Sequence, residues 1–151
     1  MRILIVYASQ YGNTQKLAQA MGRALAPDHD VSVVQAPAAR TVTAEGVDLL
    51  IVGAPTQMRG LRLLAKPFLV GLERRGFGGV AAAAFDTRMG GFVQTIASDV
   101  IARHLVGSGC RLVGEPASFL VAGLDGPLVE GEEERAASWA RSVAANAPAR
   151  T

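Results

Sequence analysis

Six consecutive residues, Ser9-Gln10-Tyr11-Gly12-Asn13-Thr14, separate an apolar run beginning at Ile3 from apolar residues at helical spacing. Ser9, Asn13 and Thr14 bring side-chain donors, and Gly12 lets the backbone turn tightly and approach an anion. A helix starting here adds free N–H groups and the positive end of its dipole. That combination suits a phosphate, and no acidic residue lies within it to repel one. It is neither the Walker pattern, which needs Gly-Lys-Ser/Thr, nor the dinucleotide fingerprint Gly-x-Gly-x-x-Gly. The plainer reading is that Ser9 or Asn13 only caps a helix. On this stretch alone both readings stand.

Two other stretches combine polar groups with turn residues. In "GAPTQMRG", Gly53 to Gly60, Pro55 fixes the exit of the chain and Thr56 offers a hydroxyl. In "FDTRMGGF", Phe85 to Phe92, Gly90 and Gly91 mark a turn. Asp86 there is free to accept from a bound hydroxyl or a loop N–H, or to pair with Arg88, a pair worth little on a surface. The remaining chemical residues read as structural. Cys110 is the one cysteine, so no intramolecular disulfide forms, and its apolar neighbours make it a packing residue. His29 and His104 lack ligand spacing and belong at the surface or a helix end. Trp139 packs on a helix. Glu130, Glu132, Glu133 and Glu134 open the last helix, where capping and solubility account for them. No Ser-His-Asp or Cys-His constellation is evident.

These stretches need strands and helices to position them. Arg2 to Ala8, Val47 to Ala54 and Gly79 to Phe85 are apolar without alternation, as strands buried on both faces are. Val31 to Val34 is a shorter strand, and Cys110–Val113 with Ser118–Val121 forms a last strand region interrupted at Glu115-Pro116. Helical patterns cover Asn13 to Ala26, Leu61 to Arg75 with a break at Pro67, Phe92 or Gln94 to Val106, and Glu130 to Ala145. The segment "QAPAARTVTAEG" has room for one short helix more. The alternation implies an α/β protein of three layers: a five-stranded, doubly wound parallel sheet with helices on both faces. The 151 residues read as a single domain, 1–151, without linker or repeat. Each polar stretch follows a strand, at the edge where such sheets bind ligands.

The totals narrow the function. Half of the residues are hydrophobic, mean hydropathy is +0.26 and the pI is about 9.1, with net charge +2. Disorder is excluded by this composition, nucleic acid is not indicated by so small an excess, and no apolar run is long enough to span a membrane. The N-terminus reads as a strand rather than a signal peptide, so a cytoplasmic location is expected. A phospho-receiver domain shares the strand order but needs an acidic pair after the first strand, where Ser9 and Gln10 stand.

"YASQYGNTQKLA" resembles the phosphate loop of the flavodoxin family, Thr/Ser-x-Thr-Gly-x-Thr: Ser9, Gly12 and Thr14 match, and Tyr11 replaces the middle hydroxyl residue. The resemblance extends over the whole chain. It implies a flavodoxin-like sheet with strand order 2-1-3-4-5 and FMN as cofactor, its phosphate held by Ser9, Gln10, Tyr11, Gly12, Asn13 and Thr14. It further implies that Pro55, Thr56, Gln57, Met58, Arg59 and Gly60 run along one face of the flavin, with Met58 against the ring. The Arg59–Gly60 peptide is the candidate for a flip that presents a carbonyl to N5–H. Asp86, Thr87, Arg88, Met89, Gly91 and Phe92 would then border the ring's other side, Phe92 or Arg88 standing where many relatives carry Tyr. The function implied is electron transfer between redox partner proteins, a reductase or ferredoxin-like donor and an unknown acceptor, by a monomer or weak dimer. No catalytic side chain or metal is required. Flavodoxins are usually acidic and are steered to basic partners; Arg59, Arg62 and Arg88 depart from that pattern and point to an acidic partner. Two alternatives stay open: a small flavin-dependent oxidoreductase acting on a quinone or porphyrinogen-like substrate, and an interaction module that has lost FMN.

Overall fold

The computed structural model describes residues 1–56, 61, 62, 64–91 and 96–148. Its strands are β1 (Arg2–Tyr7), β2 (Asp30–Gln35), β3 (Leu49–Pro55), β4 (Ala81–Met89), β5 (Arg111–Leu112) and β6 (Ala117–Val121). Its α-helices are α1 (Asn13–Leu25), α2 (Ala36–Ala39), α3 (Ala97–Gly107) and α4 (Glu132–Asn146), and Ala65–Leu69 winds as a π-helical segment. All strands run parallel in the order β2-β1-β3-β4-β5, and β6 also pairs with β4. The expected five positions are therefore present. The fifth is divided: β5 pairs with Ala81 and Ala82 at the start of β4, and β6 with Phe85 to Met89 at its end. Pro116, which cannot donate to a ladder, lies in the break between them.

Alternation along each strand distributes side chains to two cores. Ile3, Ile5, Leu49, Ile51, Ala81, Ala83 and Phe85 meet α1 and α4 on one face; Leu4, Val6, Leu50, Val52, Ala82 and Ala84 meet α2, the π segment and α3 on the other. The alanines of β4 leave room for larger neighbours. A row across the sheet shows the same economy at Gly53, whose neighbour Phe85 places its ring so close that a Cβ on Gly53 would lie 2.1 Å from it. Phe85 then makes edge-on contacts with Phe119 and Trp139, ring centroids 6.1 and 6.0 Å away, so Trp139 packs between α4 and the sheet.

Two helical expectations change. The helix expected to reach Arg75 ends at Leu69 and gives way to turns over 70–76. Pro67 removes a donor from the turn, the winding loosens to π, and Gly71 at φ 83° closes it. Arg75 then satisfies freed carbonyls: it donates to Phe68 and Val70, and across to Ala39 and Val42 at 3.2 and 3.0 Å. α3 begins at Ala97, with Ile96 at its N-cap. Residues 92–95, where an earlier start was expected, lie outside the described residues.

Cys110 is buried, its thiol donates to the Phe77 carbonyl at 3.3 Å, and burial pushes its pKa up to about 11, as suits a packing residue. His104 sits in the last turn of α3. Among the described residues no helix is long and apolar enough to cross a membrane, and no group of His, Cys, Asp and Glu could hold a metal ion.

Glu132 does more than open a helix. It is buried, its Oε2 accepts from the Leu120 N–H of β6 at 2.6 Å, and Arg135 grips both carboxylate oxygens at 2.8 and 2.7 Å. The Arg135 hydrogen bond, more than that from Leu120, holds the carboxyl below its ordinary value of 4.5 against the opposing effect of burial. A depressed carboxyl contributes stability above its unfolded pKa and loses it as pH falls through the folded value. Glu132→Gln is therefore expected to cost about 1.5 kcal/mol at pH 7, or about 3–6 °C in Tm for a chain of this size. Thermal melts across pH should show the gap to the unmodified protein closing as pH falls below 4.5. A gap constant down to pH 2 would contradict the assignment.

Candidate functional site

The strand order reverses between β1 and β3, and the carboxyl ends of β1, β3, β4 and β6 surround a cavity of about 280 Å³. Its described lining comprises Ser9, Gln10, Tyr11, Asn13, Thr14, Pro55, Thr56, Thr87, Arg88, Met89, Gly90, Val121 and Leu124, none of them acidic. Three large side chains on its rim are exposed: Tyr11 (46%), Met89 (47%) and Leu124 (55%).

The first wall is the turn from β1 into α1. Gly12 adopts φ 88°, a left-handed conformation that strains any other L-residue, and its own N–H donates to Ser9 Oγ at 3.0 Å. The Gln15 N–H makes a longer, 3.4 Å contact with the same oxygen. Ser9 thus caps α1, yet it does so with lone pairs and keeps its hydroxyl proton. Among the described residues nothing accepts from the N–H groups of Asn13 and Thr14 at the positive end of the helix. The two readings of this loop, cap and anion site, are compatible in one geometry.

Thr14 is buried, and its hydroxyl lies 2.9 Å from that of Thr87 on β4. This bond ties the first wall to the third. The Gln10 amide donates to Tyr11 Oη at 3.3 Å, while its Oε1 is buried without a donor among the described residues. A buried acceptor left open in a cavity is a place for a ligand hydroxyl.

The second wall is the end of β3. Pro55 pairs in register with Thr87, the Thr56 N–H donates to the Thr87 carbonyl at 2.9 Å, and the Thr56 hydroxyl accepts from the Ala97 N–H at 3.3 Å. Gln57, Met58, Arg59 and Gly60, expected along the ring face, lie outside the described residues, as does Phe92. Arg62 is exposed.

The third wall corrects the strand boundary. β4 was expected to stop at Phe85 but continues to Met89, because β6 supplies ladder partners from Ala117 to Val121. Asp86, Thr87, Arg88 and Met89 are therefore strand residues with alternating directions rather than a free loop. Asp86 turns away from the cavity: it is fully buried, and its Oδ2 accepts from the Ser98 N–H at 2.9 Å in the first turn of α3. Of the ligands offered for it, the backbone N–H is the one it takes, and it makes no pair with Arg88. Arg88 lines the cavity and curls over the following turn, Nη1 donating to the carbonyls of Met89 and Gly91 at 3.4 and 3.3 Å. Gly91 adopts φ 98° in that turn.

The fourth wall, Val121 and Leu124, was not foreseen. The sequence signal was available: in a parallel sheet the carboxyl end of the last strand, "FLVAGLDG", shares the edge used by the other three.

The Flavodoxin family matches residues 5–139. Flavodoxin 2 from Bacillus cereus is similar in structure with a TM-score of 0.78 at 28% identity, over 96% of this chain and 99% of that one. A flavodoxin from the domain Archaea gives 0.77 at 19% identity, over 96% and 97%. Rubredoxin oxygen:oxidoreductase from Desulfovibrio gigas gives 0.73 at 19%, over 95% of this chain but 35% of that longer one, and at such identities the likeness shows the fold alone. No curated protein sequence matches the chain. Flavodoxins are FMN-binding electron-transfer proteins that act with redox partner proteins. The match over residues 5–139, together with the 2-1-3-4-5 sheet and the cavity at its carboxyl edge, means that this chain belongs to the flavodoxin family.

Proposed function

We propose that this chain is a single-domain, cytoplasmic electron carrier that binds FMN in the cavity at the carboxyl edge and exchanges electrons with larger redox proteins. The observation that carries the reading is the pair of unpartnered N–H groups at Asn13 and Thr14, beside two hydroxyls and without an acid in the described lining. An anion at that point meets the helix dipole and at least four donors. The Thr14–Thr87 bond has two directions. When Thr87 donates to Thr14, the Thr14 proton is released toward the phosphate, and Ser9 adds its own. Gln10 Oε1 is the matching acceptor for a ribityl hydroxyl. Tyr11, Met89 and Leu124, on the rim of the cavity, shield the edges of an apolar ring from water. The bound flavin supplies one- and two-electron chemistry that no side chain of the protein possesses.

Arg62, exposed just past the second wall, is one of the charges that would favour an acidic partner. Attraction of this kind acts mainly on the association rate and is screened over about 10 Å at 0.1 M salt.

The phosphate assignment predicts that the apoprotein binds FMN at least about tenfold more tightly than riboflavin, since two charge-assisted hydrogen bonds are worth more than 1.4 kcal/mol. Thr14→Ala should weaken FMN and leave riboflavin affinity nearly unchanged. Fluorescence titration decides this, and equal affinities for the two flavins would refute the placement. Reduction by an acidic donor such as ferredoxin should slow as salt is raised, and slow at low salt in Arg62→Glu. Stopped-flow rates indifferent to both would remove the acidic-partner reading. Turnover of a small acceptor with NAD(P)H and no reductase would replace the carrier by an enzyme.

A further inference from the structure

Arg88 is a cation lining the cavity with no ion-pair partner among the described residues. The nearest carboxylate in sequence, Asp86, binds Ser98 through Oδ2, keeps Oδ1 buried without a partner among the described residues and forms no ion pair with Arg88, and the described ion pair of the molecule, Glu132–Arg135, lies on α4. Two backbone carbonyls hold Nη1 at 3.4 and 3.3 Å, while Nε is buried and has no acceptor among the described residues. Such an arrangement fixes where the guanidinium lies but gives it no ion pair among the described residues.

Its direction separates it from the phosphate site. Thr87 faces α1 and touches Thr14 in the first turn of that helix, so its strand neighbour Arg88 points to the opposite side of the sheet. The anion-binding turn is complete without it. The part of an FMN molecule left for Arg88 is the ring. An oxidised flavin ring is neutral. Full reduction takes two electrons from the donor protein and one proton from water at N5, and leaves one negative charge along the N1–C2–O2 edge at neutral pH. A fixed cation beside that edge interacts little with the oxidised ring and strongly with the reduced one, more so in a partly buried site than in water.

We propose that Arg88 sets the reduction potential of the bound flavin, by holding its guanidinium against the ring and stabilising the charge of the fully reduced form. The proposal rests on FMN occupying this cavity, and its test separates the two. Apoprotein is titrated anaerobically with oxidised FMN and with dithionite-reduced FMN, for the unmodified chain, Arg88→Gln and Arg88→Lys. In Arg88→Gln the affinity for reduced FMN should fall about tenfold more than that for oxidised FMN, which lowers the two-electron midpoint potential by about 30 mV. Arg88→Lys, which keeps the charge, should recover more than half of that shift. Potentiometry on the three reconstituted proteins reads the same difference directly. Equal weakening of both forms in Arg88→Gln, or a Lys variant indistinguishable from Gln, would overturn the proposal and leave Arg88 as a clamp on the 89–91 turn. An unmodified protein that binds neither form would overturn the FMN reading, and this one with it.

Discussion

Two apolar cores share one sheet, and each inner strand supplies both. This constraint decides where polar chemistry can stand. A residue inside β1, β3 or β4 faces one core or the other, so a hydroxyl or charge there must find a partner or be absent. The interior complies with runs such as Leu49 to Val52 and Ala81 to Ala84, buried without exception. Polar groups then collect where the strands leave the cores. At the carboxyl edge four exits converge, and their hydroxyls, amides and one guanidinium meet around a single cavity.

That edge is held together by few bonds. The Thr14–Thr87 contact joins α1 to β4, and Thr56 joins the end of β3 to the start of α3. Asp86 reaches α3 from the strand beside it. The N-termini of α1 and α3 are treated in opposite ways. In α3, side chains from the sheet take up the N–H groups of Ala97 and Ser98, which makes the junction structural. In α1, nothing among the described residues accepts from those of Asn13 and Thr14, at the positive end of a helix that borders the cavity.

The alternation of strands and helices and the place of the candidate site were legible in long apolar runs and the turn residues after them, while the strand order was implied by the family resemblance. Ser9, Gly12 and Thr14 could be read from type and spacing alone. The end of β4 could not. "DTRM" carries no apolar run, and its extended form depends on β6, a strand about thirty residues later whose pairing no local pattern announces. The direction of Asp86 depended on that same boundary, since a residue in a loop has no fixed face and one in a strand does. The helix expected through Arg75 failed for a different reason: its apolar spacing was genuine, but Pro67 and Gly71 changed the winding beneath it. Glu132 stood within an acidic cluster of four, and nothing in the cluster marks which member is buried.

The Leu120–Glu132 bond has a consequence for how these molecules behave beside one another. β6 is a sheet edge, and an open edge is a template on which a second chain can add a strand. Here the outward groups around Leu120 are already taken. Leu120 donates to Glu132 and accepts from Val129, Ala122 donates to Pro127, and Ser118 accepts from Arg135. The chain folds back on its own border and closes it with a carboxylate, a guanidinium and two backbone bonds. The strand that carries the far wall of the cavity thereby resists intermolecular β-pairing around Leu120, because a second chain could add there only by displacing bonds the molecule already makes with itself.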